Sequence, residues 1–218
     1  MKRTYDYLPD TQIYLYQRKD MFRMNTDTAL LGHFMKVKQG ESVLDIGTNN
    51  GALLLYASRL TKGKLIGVDV LKEACELAKE NLRLNGVDAQ IIHSDIKDVE
   101  GEKVDVIVCN PPYFQVTSPQ QLNEAHFKQV ARHEVYLTLD TLLSKVEELL
   151  KDYGRFYMVH RSDRICDIVS GCRAHQLEIK TMQFIKDEQN PIAHGVLIEA
   201  VKLGNAHCDV LPMHIVKR

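Results

Sequence analysis

The chain has 218 residues, of which 44% are hydrophobic and 26% are charged, and its formal net charge at pH 7 is −1. This length and composition are those of one globular domain with a full-sized core, and the sequence contains neither internal repeats nor low-complexity segments. The near-neutral charge excludes a uniformly basic surface for nucleic acid, although residues 1–38 carry seven Lys or Arg against four Asp and could meet phosphates.

The cysteine pattern and the hydropathy favour a cytoplasmic protein. Five cysteines are present, an odd number without a C-x-x-C pair, so the sequence indicates neither a disulfide framework nor a zinc site. The N-terminus lacks the apolar segment of a signal peptide, and no run approaches transmembrane length. We therefore expect reduced thiols, no bound metal and no membrane contact.

Residues 1–34 are predicted to form a hairpin followed by a helix. Apolar and aromatic side chains alternate over residues 13–16, which is typical of a short edge strand or hairpin. Asn25, Thr26, Asp27 and Thr28 then precede an apolar periodic run, which is the pattern of a helix N-cap. This segment is either a cap alone or also a cover over a bound cofactor.

Strands and helices alternate from residue 42 onwards. The hydrophobic pattern predicts helices at 52–60, 71–84, 139–150 and 162–174, and strands at 43–46, 65–69, 91–92, 104–109, 156–159, 179–185 and 196–201. The alternation predicts an α/β fold with a mostly parallel, seven-stranded sheet. Its last two strands are joined without a helix and should form an antiparallel C-terminal hairpin. Residues 115–134 lack periodicity, and a loop of that length is usually a lid or a binding loop.

A glycine-containing turn, Asp45 to Gly51, lies between the first core strand and the first core helix. Its glycines let the backbone approach a ligand closely, and the helix N-terminus offers free N–H groups. Dinucleotide-binding proteins use a similar turn, so the turn alone is weak evidence. Asp45, two residues before Gly47, favours the ammonium group of a methionine moiety over a pyrophosphate.

Two further acids end the next two strands. Asp69, followed by Val70, could bind both ribose hydroxyls. Asp95, followed by Ile96, could contact an adenine amino group, with the two apolar residues on either side of the ring. Taken singly, each acid is more simply explained as a polar strand end or a cap.

The fourth core strand ends in Asn110-Pro111-Pro112-Tyr113, where the prolines stop the strand. An amino group attached to a π-system is a poor nucleophile because its lone pair is delocalised. The carbonyl oxygens of the Asn110 side chain and of the Pro111 backbone could accept its N–H groups and favour the pyramidal nitrogen. Tyr113 could stack on the planar group. The alternative is a Pro-Pro turn in which Asn110 has no chemical role.

In combination, the turn, the acids and the N-P-P-Y motif resemble the class I S-adenosylmethionine-dependent methyltransferases that methylate amino groups. The resemblance covers about residues 40–203 and implies a Rossmann-like, seven-stranded sheet with catalysis by residues 110–113. It implies that S-adenosylmethionine is held by Asn25, Thr26, Asp27, Thr28, Asp45, Gly47, Thr48, Asn49, Gly51, Asp69, Val70, Asp95, Ile96 and Asn110. Asn49 replaces the middle glycine common in that family, and Asn tolerates left-handed backbone angles better than most residues.

Three further segments narrow the resemblance to the tRNA(Val) adenine-N6-methyltransferases, which modify adenine 37. They are F-R-M-N-T-D-T from Phe22, L-L-G-H-F from Leu30 and A-R-H-E from Ala131. This resemblance implies methyl transfer to adenine N6 in tRNA. It implies substrate contacts by Arg23, Tyr113, Phe114, Arg132 and His133, although residues 132–134 could also be an ordinary salt-bridged helix entry.

Two other functions stay open. One is methylation of a glutamine N5 in a translation release factor, although enzymes of that kind carry a helical N-terminal domain and only about 40 residues precede the first core strand here. The other is a non-catalytic RNA-binding module or nucleotide-binding relative. We expect one domain over residues 1–218, in which 1–38 form an N-terminal arm and cofactor cover and 39–218 form the core; the oligomeric state is open.

Overall fold

The computed structural model describes residues 3–111 and 137–217. The chain begins with a two-stranded antiparallel hairpin, β1 (Arg3–Tyr7) and β2 (Tyr14–Arg18). Helix α1 (Thr26–Phe34) follows, and Asn25 is its N-cap. The hairpin and the capped helix expected within residues 1–34 are therefore confirmed.

An eight-stranded sheet forms the core of the described residues. Its strands are β3 (Val43–Ile46), β4 (Leu65–Asp69), β5 (Gln90–His93), β6 (Val104–Cys109), β7 (Leu150–Arg161), β8 (Leu177–Asp187), β9 (Gly195–Lys202) and β10 (Asp209–Val216). Their order in space is β10-β8-β9-β7-β6-β3-β4-β5. The pairs among β3 to β7 are parallel, and β9 is antiparallel to both β7 and β8. The expected α/β fold with antiparallel C-terminal strands is confirmed.

The expected count of seven strands is wrong by one, because β10 adds an eighth. It pairs in parallel with β8 at one edge of the sheet. Six of its eight residues are exposed, so its sequence lacks the alternation that identifies a half-buried strand. Pro212 lies within it, and a proline is compatible with an edge strand because one side of the ladder needs no donor.

Helices cover both faces of the sheet: α2 (Ala52–Ala57), α3 (Lys72–Leu84), α4 (Leu139–Leu149) and α5 (Ile165–Ala174). α2 ends at Ala57 rather than at residue 60, and β7 begins at Leu150, directly after α4, rather than at residue 156. A Cβ added to Gly154 of β7 would lie 2.8 Å from Leu150 Cγ and from the Lys151 carbonyl oxygen, so this position requires glycine. Within residues 3–111 and 137–217, none of the helices combines the length and apolarity that a bilayer crossing requires.

Strand β6 is buried on both faces. Val106 and Val108 pack in the layer that contains α1 and α2, whereas Ile107 and Cys109 pack in the layer that contains α4 and α5. Because side chains alternate along a strand, an uninterrupted apolar run is the pattern of a strand covered on both sides. The packing holds the end of β6, and therefore Asn110, firmly at the carboxyl edge of the sheet.

Candidate active site

The carboxyl ends of four neighbouring strands meet at one edge of the sheet. β3 lies between β4 and β6, and Ile46 pairs with Val68 on one side and with Cys109 on the other. β5 lies beyond β4, where His93 pairs with Asp69. The residues that follow these strands are therefore brought together. Ligands of open parallel sheets bind at such an edge.

The turn after β3 is left-handed at three positions. Gly47, Asn49 and Gly51 have φ angles of +74°, +48° and +80°. Glycine adopts these angles at little cost, and Asn does so better than most residues. The Asn49 N–H donates to Asp69 Oδ2 at 2.9 Å, and its side chain donates to the Phe22 carbonyl at 2.7 Å. Asn49 thus adopts the left-handed conformation that Asn tolerates, and these two bonds stabilise it.

Asp45 of β3 is a buried acid, only 1% exposed. Among the described residues, neither of its carboxylate oxygens has a hydrogen-bond partner, and the same is true of the buried Thr48 hydroxyl. Burial raises the pKa of Asp45 to about 7; the Thr48 hydroxyl beside it partly opposes this shift, and the negative charge of Asp69 adds to it. Because an unpartnered buried carboxylate is costly, this position is suited to a ligand that carries a positive charge.

Asp69 connects the turns that follow β3 and β4. Its Oδ2 accepts from the Asn49 N–H, and its Oδ1 accepts from the Leu71 N–H at 2.9 Å. The side chain is held in place by these bonds, and Asp69 is 8% exposed. The contact of Asp69 with ribose hydroxyls stays a prediction. In the structure, Asp69 also orders both turns through these two hydrogen bonds.

Asp95 is the N-cap of a short 3₁₀ turn, Ile96–Asp98. Its Oδ1 accepts from the Lys97 N–H at 3.0 Å, and its Oδ2 lies 3.3 Å from Lys97 Nζ. These contacts are those of a cap, the simpler of the two interpretations of Asp95. Its contact with adenine stays a prediction. Of the two apolar neighbours of these acids, Val70 is half-buried, whereas Ile96 is 4% exposed and packs in the core.

Asn110 follows β6 and contacts the first turn of α1. Its side-chain Nδ2 donates to Thr28 Oγ1 at 2.9 Å, across 82 positions of the sequence. Thr28 is buried, and Asn110 Oδ1 is buried without a hydrogen-bond partner in the part of the chain that the structure describes. The predicted contact of Thr28 with the cofactor stays a prediction. In the structure, the Thr28 hydroxyl accepts the hydrogen bond from Asn110 at this edge of the sheet. The edge therefore presents a carbonyl oxygen whose accepting capacity is unused, beside Pro111.

The segment before α1 shapes the start of that helix. Asn25 Oδ1 accepts from the Thr28 N–H at 3.0 Å and from the Thr28 hydroxyl at 3.1 Å. Asn25 and Thr26 are exposed, and Asp27 is half-buried. Burial raises the pKa of Asp27, and the nearby His194 partly opposes this shift. Contact of this segment with a cofactor stays a prediction.

Several predicted site residues lie outside the described ranges: Pro112, Tyr113, Phe114, Arg132 and His133. The predicted lid at 115–134 lies outside them as well. Arg23, the remaining predicted substrate contact, is exposed. Its guanidinium lies 3.4 Å from Asp6 Oδ2 and 3.5 Å from Thr4 Oγ1, so Arg23 is held against the hairpin.

A network of buried amide side chains, which sequence reasoning missed, joins the hairpin to the turn after β3. Gln17 Oε1 accepts from the Met24 N–H at 2.7 Å and from Asn50 Nδ2 at 3.5 Å. Asn81 of α3 accepts from the Tyr16 N–H at 2.7 Å and donates to the Tyr16 and Asn50 carbonyls at 3.0 and 2.9 Å. The sequence does contain one feature that could have indicated this network: Asn81 is a polar residue on the otherwise apolar face of α3.

The described residues contain no group of three or more His, Cys, Asp or Glu side chains placed to hold a metal ion. The five cysteines are free thiols. Burial raises the pKa of Cys75 to about 11 and that of Cys172 to about 12. A thiol is a weak nucleophile while it keeps its proton, so neither buried thiol is placed as a nucleophile, and the Cys75 thiol donates to the Asp69 carbonyl at 3.5 Å.

The fold and this edge of the sheet define a class of protein, the Rossmann-like α/β proteins that bind a ligand at the carboxyl ends of their strands. The solved structure of the 16S rRNA N2 G1207 methyltransferase of T. thermophilus, in complex with AdoMet and guanosine, shows the same fold. Its TM-score is 0.65 at 19% identity, and the alignment covers 92% of this chain and 50% of that one. Residues 20–169 match the family model of the methyltransferase small domain, and the chain belongs to this family.

Two relatives carry the name tRNA1(Val) (adenine(37)-N6)-methyltransferase. The one from Flavobacteriaceae bacterium (strain 3519-10) is 34% identical over 66% of this chain and 61% of its own length, which is less than two thirds of that relative. The one from Dyadobacter fermentans is 30% identical over 84% of this chain and 82% of its own length. The resemblance that the motifs predict is confirmed by these comparisons.

Proposed function

We propose that this protein transfers the methyl group of S-adenosylmethionine to N6 of an adenine in tRNA, and that the acceptor is adenine 37 of tRNA(Val). The observation that carries the proposal is the state of Asn110. Its carboxamide is held by Thr28 through the nitrogen, and its oxygen is buried and unpartnered among the described residues. An acceptor fixed in this way suits a substrate that brings N–H groups.

The residues of the edge fit the methyl donor. The carboxylate of Asp45, which has no hydrogen-bond partner within residues 3–111 and 137–217, matches the ammonium group of the methionine moiety. The left-handed turn at Gly47 to Gly51 lets the backbone lie close to it. Asp69 and Asp95 follow the next two strands toward the β5 side, where the ribose and adenine would lie. When bound, the cofactor supplies a methyl group made electrophilic by its attachment to a positively charged sulfur.

The chain's own contribution is to orient and polarise the acceptor amine. Asn110 Oδ1 and the Pro111 carbonyl each accept one N–H of the adenine amino group, which draws the nitrogen lone pair out of the ring and toward the methyl group. These dipoles are in place before the reaction, so they need no reorganisation at the transition state. No strong general base is required, because the methylated, positively charged nitrogen loses its proton to water.

The proposed substrate contacts complete the site. Tyr113 and Phe114 stack on the extruded base, and Arg23, Arg132 and His133 bind RNA phosphate or the base. Residues 1–218 act as one domain in the cytoplasm, where tRNA is found, and residues 1–38 cover the cofactor. Support for tRNA as the substrate comes from the names of the two relatives.

The test offers labelled S-adenosylmethionine together with one of three acceptors: tRNA(Val), tRNA(Val) with guanine in place of adenine 37, and a translation release factor. We expect label only in the unaltered tRNA(Val), recovered after nuclease digestion as N6-methyladenosine. Asn110→Ala should keep cofactor affinity by calorimetry and reduce methyl transfer by at least about 100-fold. Label only in the release factor, or equal label in the altered tRNA, would reject the proposal.

A further inference from the structure

We propose that Thr28 is a positioning residue that fixes which end of the Asn110 carboxamide faces the reacting nitrogen. This inference rests on the proposed function, because it explains how the accepting oxygen of Asn110 is kept in place. Thr28 touches Asn110 rather than the substrate. Its role is therefore to orient a catalytic group from the first turn of α1.

The donors and acceptors among Asn25, Thr28 and Asn110 can be assigned by starting from the Thr28 backbone N–H, which can only donate. The backbone N–H of Thr28 lies 3.0 Å from Asn25 Oδ1, so the Asn25 side chain must present its oxygen rather than its NH₂ group. The same oxygen lies 3.1 Å from Thr28 Oγ1. A carbonyl oxygen only accepts, so the Thr28 hydroxyl must donate its proton to Asn25.

That proton is the only one the hydroxyl has. Toward Asn110, Thr28 Oγ1 can therefore only accept. The Asn110 atom 2.9 Å away must then be the NH₂ group, because an oxygen there would place two acceptors against each other. The remaining end of the carboxamide, Oδ1, is directed away from Thr28.

Burial makes this choice decisive. Thr28 is 6% exposed, and Asn110 Oδ1 is buried. At the protein surface, water could satisfy either orientation of an asparagine, but a buried polar group that loses its partner pays the full cost of its desolvation. A rotated Asn110 would lose the bond to Thr28 and would also turn its NH₂ group toward the substrate's own N–H groups.

The residue at position 28 therefore has two functions in one turn of helix. Its backbone N–H completes the N-cap of α1, and its hydroxyl orients Asn110. The inference also changes the role expected for Thr28, from a cofactor contact to an orienting group. Loss of its hydroxyl should reduce the rate of methyl transfer rather than the affinity for the cofactor.

The first experiment compares Thr28→Val, which has the same shape without the hydroxyl, with Thr28→Ser, which keeps the hydroxyl. Thr28→Val should lower kcat by about 10- to 100-fold and leave the S-adenosylmethionine Kd, measured by calorimetry, within about twofold. Thr28→Ser should keep kcat within about threefold of the wild type. Equal losses in both variants, or a loss of cofactor affinity that matches the loss of kcat, would overturn the inference.

A double-mutant cycle separates orientation from packing. In an Asn110→Asp background both terminal atoms are oxygens, so no carboxamide remains to be oriented. Adding Thr28→Val to that background should cost less than about threefold in kcat. If Thr28 only supported the helix, its replacement would cost the same in both backgrounds, and the inference would be wrong.

A measurement that needs no substrate keeps this inference separable from the proposed function. In the NMR spectrum of the wild-type protein, the Asn110 Nδ2 protons should show contacts to the Hβ proton of residue 28, and the corresponding contacts should be lost in Thr28→Val because the carboxamide is then free to rotate. Their presence in a protein that fails to methylate tRNA would reject only the proposed function. Their absence from a protein that methylates tRNA would reject only the orienting role of Thr28.

Discussion

At the scale of single residues, Asp45 combines a structural cost with a proposed binding role. Its pKa is about 7 in the folded protein, raised by burial and by Asp69 from the ordinary value of 3.8. Between about pH 4 and pH 7 the folded state keeps a proton that the unfolded chain has released, so the stability of the ligand-free protein falls as pH rises through this range. Above about pH 7 the folded and unfolded states have both released this proton, so Asp45 causes no further loss of stability.

Asp45→Asn should therefore stabilise the ligand-free protein at pH 8 and abolish cofactor binding. The expected gain in the free energy of unfolding at pH 8 is on the order of 4 kcal/mol at most, and it should shrink toward pH 4. Urea unfolding at both pH values measures the stability, and calorimetry with S-adenosylmethionine measures the binding. A variant that binds the cofactor as well as the wild type would remove Asp45 from the site.

Asp105 provides a control, because its pKa is shifted in the opposite direction to that of Asp45. Burial acts to raise the pKa of Asp105, but hydrogen bonds from Lys151 and Ser42 outweigh it and hold the pKa at about 2. A carboxylate with a depressed pKa stabilises the fold above its unfolded value. Asp105→Asn should therefore destabilise the protein at pH 8 and leave cofactor binding intact. The same direction of change in both variants would contradict the assignment.

At the scale of elements, the position of α1 depends on the absence of a side chain at Gly32. A Cβ there would lie 2.3 Å from Cδ2 of Tyr56 in α2. Tyr56 is 3% exposed, its hydroxyl donates to the Pro9 carbonyl at 3.2 Å, and its ring packs against His33 with 5.1 Å between centroids. The ring is held from several sides, so α1 would have to move instead.

Gly32→Ala should reduce the free energy of unfolding by about 1–3 kcal/mol, because the gain in helix propensity is smaller than the cost of the steric conflict. Thermal unfolding measures the effect. The matched control is Gly171→Ala in α5, where a new Cβ would meet only the terminal Cδ1 of Leu143, at 2.8 Å. That methyl group lies at the end of a flexible side chain, so the control should be nearly neutral. Equal effects would mean that the Tyr56 contact does not determine the position of α1.

At the scale of the whole molecule, Asn81 joins the hairpin to the sheet. It is 0% exposed and bonds the Tyr16 N–H, the Tyr16 carbonyl and the Asn50 carbonyl. Asn50 belongs to the turn proposed to bind the cofactor. The hairpin and that turn are therefore tied to the same side chain, so we expect them to unfold together.

Asn81→Ala should lower the free energy of unfolding by roughly 2–4 kcal/mol, because it leaves buried backbone groups without partners, and it should weaken cofactor binding. The protein has no Trp and nine Tyr, so tyrosine fluorescence and circular dichroism can follow urea unfolding. For the wild type the two transitions should coincide.

The matched control is Asn85→Ala, one turn further along the chain. Asn85 is half-buried and donates to the Tyr14 carbonyl at 2.7 Å. Its replacement should cost less than about 1 kcal/mol and leave cofactor affinity unchanged. Equal losses of stability and of cofactor affinity in the two variants would indicate that any bond anchoring the hairpin has the same effect. The link between the hairpin and the turn through Asn81 would then be rejected.

The sequence alone was sufficient for the features that depend on neighbouring residues. The β-branched run of β6 predicts a strand covered on both faces, and Asn25 predicts a cap. These features follow from side-chain periodicity and local backbone energetics, which act within a few residues. The mostly parallel direction of the strands follows from the regular alternation of strands and helices, whereas their order in space does not.

The tertiary structure alone decided which distant side chains meet. The bond between Thr28 and Asn110 joins positions 82 residues apart, and no local pattern carries information about such a pair. The lack of hydrogen-bond partners for Asp45 among the described residues and the exposed edge strand β10 are likewise results of packing. Burial and pairing depend on what the rest of the chain places nearby, and for this reason the strand ends could be predicted, whereas the orientation of a single carboxamide could not.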